Sequence, residues 1–309
     1  MTDDVFRAYR TSAGTLSWRR RGVVFDFPPV LPYIAGILNV TPDSFSDGGS
    51  YATVDKAVAH ALDMAEAGAA IVDVGGQSTR PGSLPVSAEE EMGRILPVLE
   101  ALRTAFGDEA YSGPHVLLSL DTDKAEVADF VLSRGLADML NDESGGDTAM
   151  AEAAARHKTP LVLMHRPAGP GRGSLEAVME DLAEIRRAYM EAGLRPECLA
   201  LDPGLGFGKD EDENLALFSN CGKLLELGSP LYIGASRKRF IGKYSGNAEA
   251  GRRLGGSLAA ALWAAAAGAA FVRVHDVRET AEALAMYAAI RKAASRNSTG
   301  RGGETDGQR

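Results

Sequence analysis

The sequence is poor in cysteine, has no excess of positive charge and offers almost no long apolar run, and each shortage closes off a class of protein. Its two cysteines, Cys198 and Cys221, stand outside any CxxC pair. Neither a disulfide framework nor a thiolate metal site is therefore expected, and a reducing cytoplasm is the simplest home. The formal net charge is -9 and the pI is near 5.2. Proteins that hold nucleic acid or anionic membranes usually carry a basic excess, so neither partner is expected. The opening MTDDVFRAYR has early acids and no apolar stretch, which leaves no signal peptide to read. One uncharged run, Leu254–Val272, approaches the length of a membrane span. It is mostly Ala and Gly, which insert weakly, and it divides into a small-residue helix, Gly268 and a strand. It is expected in the core.

What is present is a regular alternation. Short apolar runs at Ile34–Asn39, Ala70–Val74, Val116–Asp121, Asp138–Asn141, Pro160–His165, Cys198–Asp202, Leu231–Gly234 and Phe271–Val274 read as strands. A helical pattern follows each, at Thr53–Ala67, Ser87–Phe106, Lys124–Ser133, Thr148–Arg156, Ser174–Ala192, Glu213–Leu227, Arg252–Ala267 and Arg278–Ala293. The strands are apolar at consecutive positions, as in a parallel sheet covered on both faces. Eight strand–helix units predict an α/β fold of one domain, a (β/α)8 TIM barrel over residues 31–293; a doubly wound open sheet is the rival. Residues 1–30 read as a leader with a short hairpin or extra strand, and 294–309 as a disordered, Gly- and Ser-rich tail.

In such a barrel, function gathers at the C-terminal ends of the strands. Those ends deliver Asn39, the GGQSTRPG loop, Asp121, Asn141, His165, Asp202, the Ser236-Arg237-Lys238 run, Arg273 and His275. A barrel held only by packing has no need of so many polar groups on one rim. Arg80, Lys238, Arg273 and His275 would gather positive charge in an acidic protein, which suits a phosphate or pyrophosphate. Asp121, Asn141 and Asp202 would face the barrel mouth with groups that pair with the amino and amide edge of a flat heterocycle. The first two βα loops, Val40–Tyr51 and Gly75–Val86, exceed the usual length and are lid candidates. Taken singly, each group has an ordinary structural reading. Asp121 could cap a helix, Asp202-Pro203-Gly204 could be a turn, Asn39 and Asn141 could bond loop backbone, and Met164 and Phe207 could be core.

Eight segments in order resemble the dihydropteroate synthase family of pterin-binding barrels: GILNVTPDSFSDGG (36–49), DVGGQSTRPGS (73–83), SLDTDKAEVA (119–128), LNDESGG (140–146), LVLMHR (161–166), LDPGLGFGKDEDEN (201–214), IGASRKRFIG (233–242) and VRVHDV (272–277). The resemblance covers about residues 33–290. It implies a folate-pathway transferase joining 6-hydroxymethyl-7,8-dihydropterin pyrophosphate to p-aminobenzoate, dependent on Mg²⁺, homodimeric through its C-terminal helices, and a sulfonamide target. It assigns pterin binding to Asp121, Asn141, Met164, Asp202, Phe207 and Lys238. Pyrophosphate falls to Asn39, Thr79, Arg80, Arg273 and His275, with Asn39 also near the metal, and p-aminobenzoate to Phe45, Pro81 and Ser236. Asp121, Lys238, Arg80 and Phe45 are the residues on which catalysis is expected to rest.

The sequence departs from the family pattern at Gln77, where the family has Glu, and after His165, where RPAGPGRGSL replaces a Met-rich segment. Two other classes remain open. A pterin-dependent methyltransferase would not need the TPDSFSDGG and STRPG loops. A non-catalytic pterin-binding paralogue would be expected to have lost Arg80, Lys238, Arg273 or Asn39, and all four are intact.

Overall fold

The computed structural model describes residues 6–10, 15–41, 50–77, 84–107, 111–167, 169, 171–246 and 249–299. Three strands come first, β1 (Arg7–Arg10), β2 (Leu16–Arg20) and β3 (Val23–Phe27), paired as an antiparallel sheet. Then the chain alternates. β4 (Tyr33–Asn39) precedes α1 (Ser50–Glu66), β5 (Ile71–Gly75) precedes α2 (Ala88–Gly107), and β6 (Leu117–Thr122) precedes α3 (Ala125–Ser133). β7 (Met139–Asp142), α4 (Thr148–Arg156), β8 (Leu161–Met164), α5 (Leu175–Glu191), β9 (Leu199–Asp202) and α6 (Glu211–Ser219) continue the pattern. The last turn of the barrel is β10 (Tyr232–Ile233), α7 (Arg239–Ser245), α8 (Leu254–Ala266), β11 (Phe271–Val274) and α9 (Val277–Thr299).

The eight strands β4 to β11 pair in parallel in the order β10-β11-β4-β5-β6-β7-β8-β9. An isolated parallel bridge, Leu201 to Leu231, joins the two ends and closes the barrel. An open doubly wound sheet is thereby ruled out. Strands β5 to β9 are buried at every position, which is why the sequence shows continuous apolar runs rather than alternation.

The N-terminal sheet underlies the barrel at the end where its strands begin. Trp18 is 1% exposed and its ring lies 5.9 Å from that of Phe271, at the start of β11. Phe25 and Phe27 approach the same ring at 5.3 and 5.5 Å. Pairs of this kind contribute on the order of 1 kcal/mol each beyond the area they bury. Asp138, immediately before β7, fixes this lower end. Its buried carboxylate meets Arg20 and Arg21 at 2.8 Å and Arg103 of α2 at 2.6 Å, and accepts from Leu118 N at 3.0 Å.

Several boundaries differ from the sequence expectation. The helix expected over 213–227 is broken: α6 starts in a reciprocal capping box between Asp210 and Glu213, ends at Ser219, and gives way to a 3-10 segment, Cys221–Leu227. A side chain at Gly222 would crowd the Ala267 carbonyl, so the chain passes there as glycine. The helix α7, inside the Arg237–Ser245 stretch, was not foreseen. The last helix runs to Thr299 rather than stopping at 293, so the expected disordered tail is helical over its first residues. The uncharged run Leu254–Val272 is α8, the left-handed Gly268 and β11, and no helix among the described residues is long and apolar enough to cross a membrane.

Candidate active site

The C-terminal ends of the strands assemble an acidic wall. Asp73 of β5, Asp121 of β6, Asn141 of β7 and Asp202 of β9 are all buried. Asn141 donates its amide to Asp73 and to Asp121, each at 3.1 Å. Arg273 of β11 reaches across the mouth, donating Nε to Asp73 at 2.6 Å and Nη2 to Asp121. Asp202 accepts from Gly204 N at 2.7 Å. That turn requires glycine: Gly204 has a φ of 65°, and a Cβ there would lie 1.8 Å from the His165 carbonyl. It lifts Phe207 over the mouth, where the Lys238 ammonium sits 4.2 Å from the ring centroid. Lys209 ties the turn together by donating to the carbonyls of Gly204 and Phe207 at 3.0 and 3.2 Å.

A cationic corner faces this wall. Ser236 Oγ and His275 Nδ1 are 3.1 Å apart. Arg237 adopts the left-handed region, with a φ of 58°, and forks onto Asp276. Its backbone is held from α8's entry, with N donating to Ser257 Oγ at 3.0 Å and the carbonyl accepting from Arg253 at 2.7 Å. These bonds fix the loop that presents Ser236 and Lys238. Between wall and corner lies a cavity of about 420 Å³, lined among others by Asn39, Gln77, Asp121, Phe207, Lys238, Arg273 and His275.

The electrostatics follow from burial. Asp121 is pushed well above the usual carboxylate range by burial, against the pull of Arg273. Burial also raises Asp202, opposed by the Gly204 N–H, and Glu143, opposed by Arg273 and Lys238. Arg273 stays charged, because Asp121 and Asp73 outweigh its burial. Burial lowers Lys238, with Glu143 acting against it, and brings Lys209 down to about 8. The site therefore holds more carboxyl groups than buried cations, an arrangement that favours ligands with N–H donors and stabilises positive charge developing on them.

The base of the second loop is pinned by Gln77. Its Nε2 donates to Asp123 at 3.2 Å, while Oε1 accepts from Lys124 at 2.7 Å and from Val86 N at 3.2 Å. Lys124 also bonds the buried Glu91 at 2.8 Å and Asp123 at 2.9 Å. The amide at 77 thus donates to a neighbouring carboxylate, which a glutamate cannot do.

Residues 35–275 match the family model described as pterin binding enzyme. The dihydropteroate synthase of Escherichia coli K12 is 43% identical over 267 residues, covering 84% of this chain and 91% of that protein. The chain belongs to the dihydropteroate synthase family. A Xanthomonas albilineans dihydropteroate synthase solved with 4-aminobenzoic acid is 40% identical, with a TM-score of 0.78 over 87% of this chain and 96% of that one. The same enzyme in complex with 7,8-dihydropteroate aligns with a TM-score of 0.75 over 84% and 94%, at 40% identity.

Of the residues that the family resemblance singles out, Asn39, Asp121, Phe207, Ser236, Lys238, Arg273 and His275 line one cavity. Asn141 and Asp202 stand behind it, bonded to Asp121 and Gly204. Met164 is buried at the end of β8, in register with Asp202, and is not among the lining groups. Phe45, Thr79, Arg80 and Pro81 lie outside the described residues. The single-residue alternatives resolve as well. Asp121 caps nothing: its carboxylate takes Asn141 and Arg273, and Lys124 N goes to Thr122 Oγ1 at 3.2 Å. Arg273, expected on pyrophosphate, is held by Asp73 and Asp121.

Sequence reading passed over Asp73, Glu143 and Lys209. Asp73 had a usable signal, a lone charge between Val72 and Val74 inside a dihydropteroate synthase-like strand. Glu143 had none, because a loop glutamate next to Ser and Gly reads as solvated.

Proposed function

We infer that this cavity condenses 6-hydroxymethyl-7,8-dihydropterin pyrophosphate with p-aminobenzoate, giving 7,8-dihydropteroate and pyrophosphate, as a dihydropteroate synthase of folate biosynthesis. The observation that carries the mechanism is the pairing of an acidic wall with a cationic corner around one space of about 420 Å³. Asp121, Asn141 and Asp202 receive the donor edge of the pterin, Phe207 and Lys238 cover it, and Met164 shapes the pocket from behind. Asn39, Arg273 and His275, with Thr79 and Arg80 of the second loop, take the pyrophosphate. Ser236, with Phe45 and Pro81, takes p-aminobenzoate.

In the reaction the methylene C–O bond breaks and its electron pair leaves with pyrophosphate. Positive charge spreads into the pterin, where the Asp121 carboxylate lowers its cost. The neutral arylamine forms the new C–N bond and releases a proton. For pyrophosphate to receive Arg273, the guanidinium must leave one of its carboxylates. That exchange frees the Asp121 carboxyl to face the pterin.

Among the described residues no group of three His, Cys, Asp or Glu side chains could hold a metal. This donor set still fits Mg²⁺, which commonly takes one or two protein oxygens and fills its shell from water and substrate phosphate. Asn39 would supply the protein oxygen. When bound, Mg²⁺ neutralises charge on the departing pyrophosphate.

In this reading the enzyme is a homodimer through its C-terminal helices. Trp263 of α8 and Met286 and Ile290 of α9 support this, being 51%, 62% and 56% exposed. Sedimentation of the wild type should give a dimer, and Met286→Glu with Ile290→Glu a monomer. The buried free thiols Cys198 and Cys221 fit a cytoplasmic enzyme. Sulfonamides, as p-aminobenzoate mimics, are expected to compete at Ser236.

The test is pyrophosphate release with and without p-aminobenzoate, with dihydropteroate detected as product. Release that depends on the arylamine and fails in Asp121→Ala and Lys238→Ala is the expected result. Tight pterin binding without product would remove the assignment and leave a binding protein.

A further inference from the structure

A second concavity lies at the opposite end of the barrel, with a volume of about 860 Å³. It is bounded by β1 and β2, the end of α4 and the segment that leads into β9. Among its lining residues are four cations and no carboxylate: Arg7, Arg19, Lys158 and Arg195. None of the four forms an ion pair with a described carboxylate, in a chain whose net charge is -9. The volume lies in the range of small-molecule sites, roughly 300–1,000 Å³.

The sheet register sharpens this. Arg7 and Arg19 are direct partners across the antiparallel β1–β2 pair. Direct partners share a face with Cβ atoms about 5 Å apart, and like charges so placed repel. Among the described residues no carboxylate pairs with either arginine to relieve that repulsion. Lys158 repeats the pattern: it has a φ of 52°, a backbone conformation that favours glycine, yet presents a cation to the same space. The frame is firm. Trp18 Nε1 donates to the Glu197 carbonyl at 2.6 Å, joining β2 to the turn that carries Arg195. Arg195 in turn donates to Cys198 Sγ at 3.4 Å. Phe6 and Leu194, both buried, provide apolar wall.

We propose that this lower concavity is a binding site for a small polyanion, phosphate- or carboxylate-bearing, whose charged groups are held between Arg7 and Arg19 with Lys158 and Arg195 closing on them, and whose apolar body rests on Phe6 and Leu194. Arginine forks match both oxyanion types bidentately. The site shares β8 and β9 with the catalytic mouth but sits at their opposite ends, so its ligand does not compete with pterin.

Calorimetric titration of the full chain with tripolyphosphate, and separately with citrate, tests this. Turnover assays run in parallel report anion binding at the catalytic rim as inhibition. The wild type should show a salt-sensitive binding component that Arg7→Gln/Arg19→Gln weakens at least tenfold, with kcat and the inhibition constant unchanged. A response to tripolyphosphate alone assigns phosphate, and a response to both assigns polyanions of either kind. Lys158→Gly, which relaxes the backbone, should weaken the same component without lowering Tm. Arg7→Gln should raise Tm in anion-free buffer by removing the repulsion. Equal binding by wild type and double variant, or a fall in Tm for Arg7→Gln, would overturn the proposal: the first leaves only the catalytic rim as the anion site, the second makes the arginines part of the fold.

Discussion

At the lower end of the barrel one carboxylate, Asp138, lies among Arg20, Arg21 and Arg103, with Leu118 N completing its shell. At the upper end Arg273 lies among Asp73 and Asp121, with Glu143 and Asp202 close by. Both are ion clusters at the ends of one barrel, but their balances are opposite. Among the described residues the lower cluster gathers three arginines on one carboxylate and ties the N-terminal sheet and α2 to the foot of β7. The upper cluster has surplus carboxyl groups around an open cavity, and burial keeps those groups reluctant to ionise. The difference teaches where this fold tolerates imbalance: surplus carboxyl groups are retained where they line or back an open cavity.

Removing one member from each cluster should separate the two roles. The largest effect is expected at the top. Asp121→Ala should lower kcat/KM by about a thousandfold while leaving the unfolding midpoint nearly unchanged, since it removes transition-state stabilisation and relieves a crowded carboxyl. Steady-state kinetics beside urea denaturation check this. At the bottom the pattern should invert. Asp138→Ala removes the buried carboxylate on which Arg20, Arg21 and Arg103 converge and should cost about 3–5 kcal/mol of stability, with kcat preserved in the folded fraction.

A smaller effect sharpens the comparison through pH. Asp142 of β7 is raised by burial to about 6, and accepts from Tyr189 and Ser144. A raised folded-state pKa gives stability that is present below the unfolded value and lost as pH rises through about 6. Its neighbour His165 is lowered to about 4, chiefly by burial. That group gives stability present above 6.5 and lost as pH falls through about 4. Between pH 6.5 and 4 the two oppose each other. Asp142→Asn should therefore steepen the acid loss of stability across that window, by on the order of 3 kcal/mol for a gap of about two pH units. An unchanged slope in pH-dependent denaturation would contradict the assignment to Asp142. The smallest effect is expected from Gln77→Glu, which replaces a donor to Asp123 by a second carboxylate. A rise of about two- to fivefold in KM for p-aminobenzoate, with kcat little changed, is expected, corresponding to the loss of one hydrogen bond.

Most of the barrel was legible because its strands are buried on both faces and so appear as apolar runs separated by helical periodicity. The catalytic rim was legible for a similar reason, since strand ends point their side chains to one face and a polar residue there has few alternatives. Other features depend on distance rather than sequence. Asp138 meets Arg20 and Arg21 across more than a hundred residues, and nothing local to either end announces the contact. The short β10 kept two of the four residues expected of it, because Leu231 bridges to Leu201 instead of joining a longer ladder. The helix ended at Ser219 and went on as a 3-10 segment, in which Gly222 passes close to the Ala267 carbonyl, and α9 outran its apolar pattern because a formed helix extends through polar residues at little cost.

The bridge between Leu201 and Leu231 gives the barrel a seam. Every other junction pairs two or more residues in a ladder, whereas this one is a single bridge, with Leu201 N donating to the Pro230 carbonyl at 2.9 Å. Asp202 follows the seam on one side and the loop to Lys238 on the other, so these two sides of the candidate site belong to different edges of what is mechanically a split ring. A ring cut at one point can widen or narrow its mouth by a small rotation there, without disturbing the rest of its circumference. The amides at the seam would then exchange with solvent ahead of those elsewhere in the barrel, and the pocket would take its width from the molecule inside it.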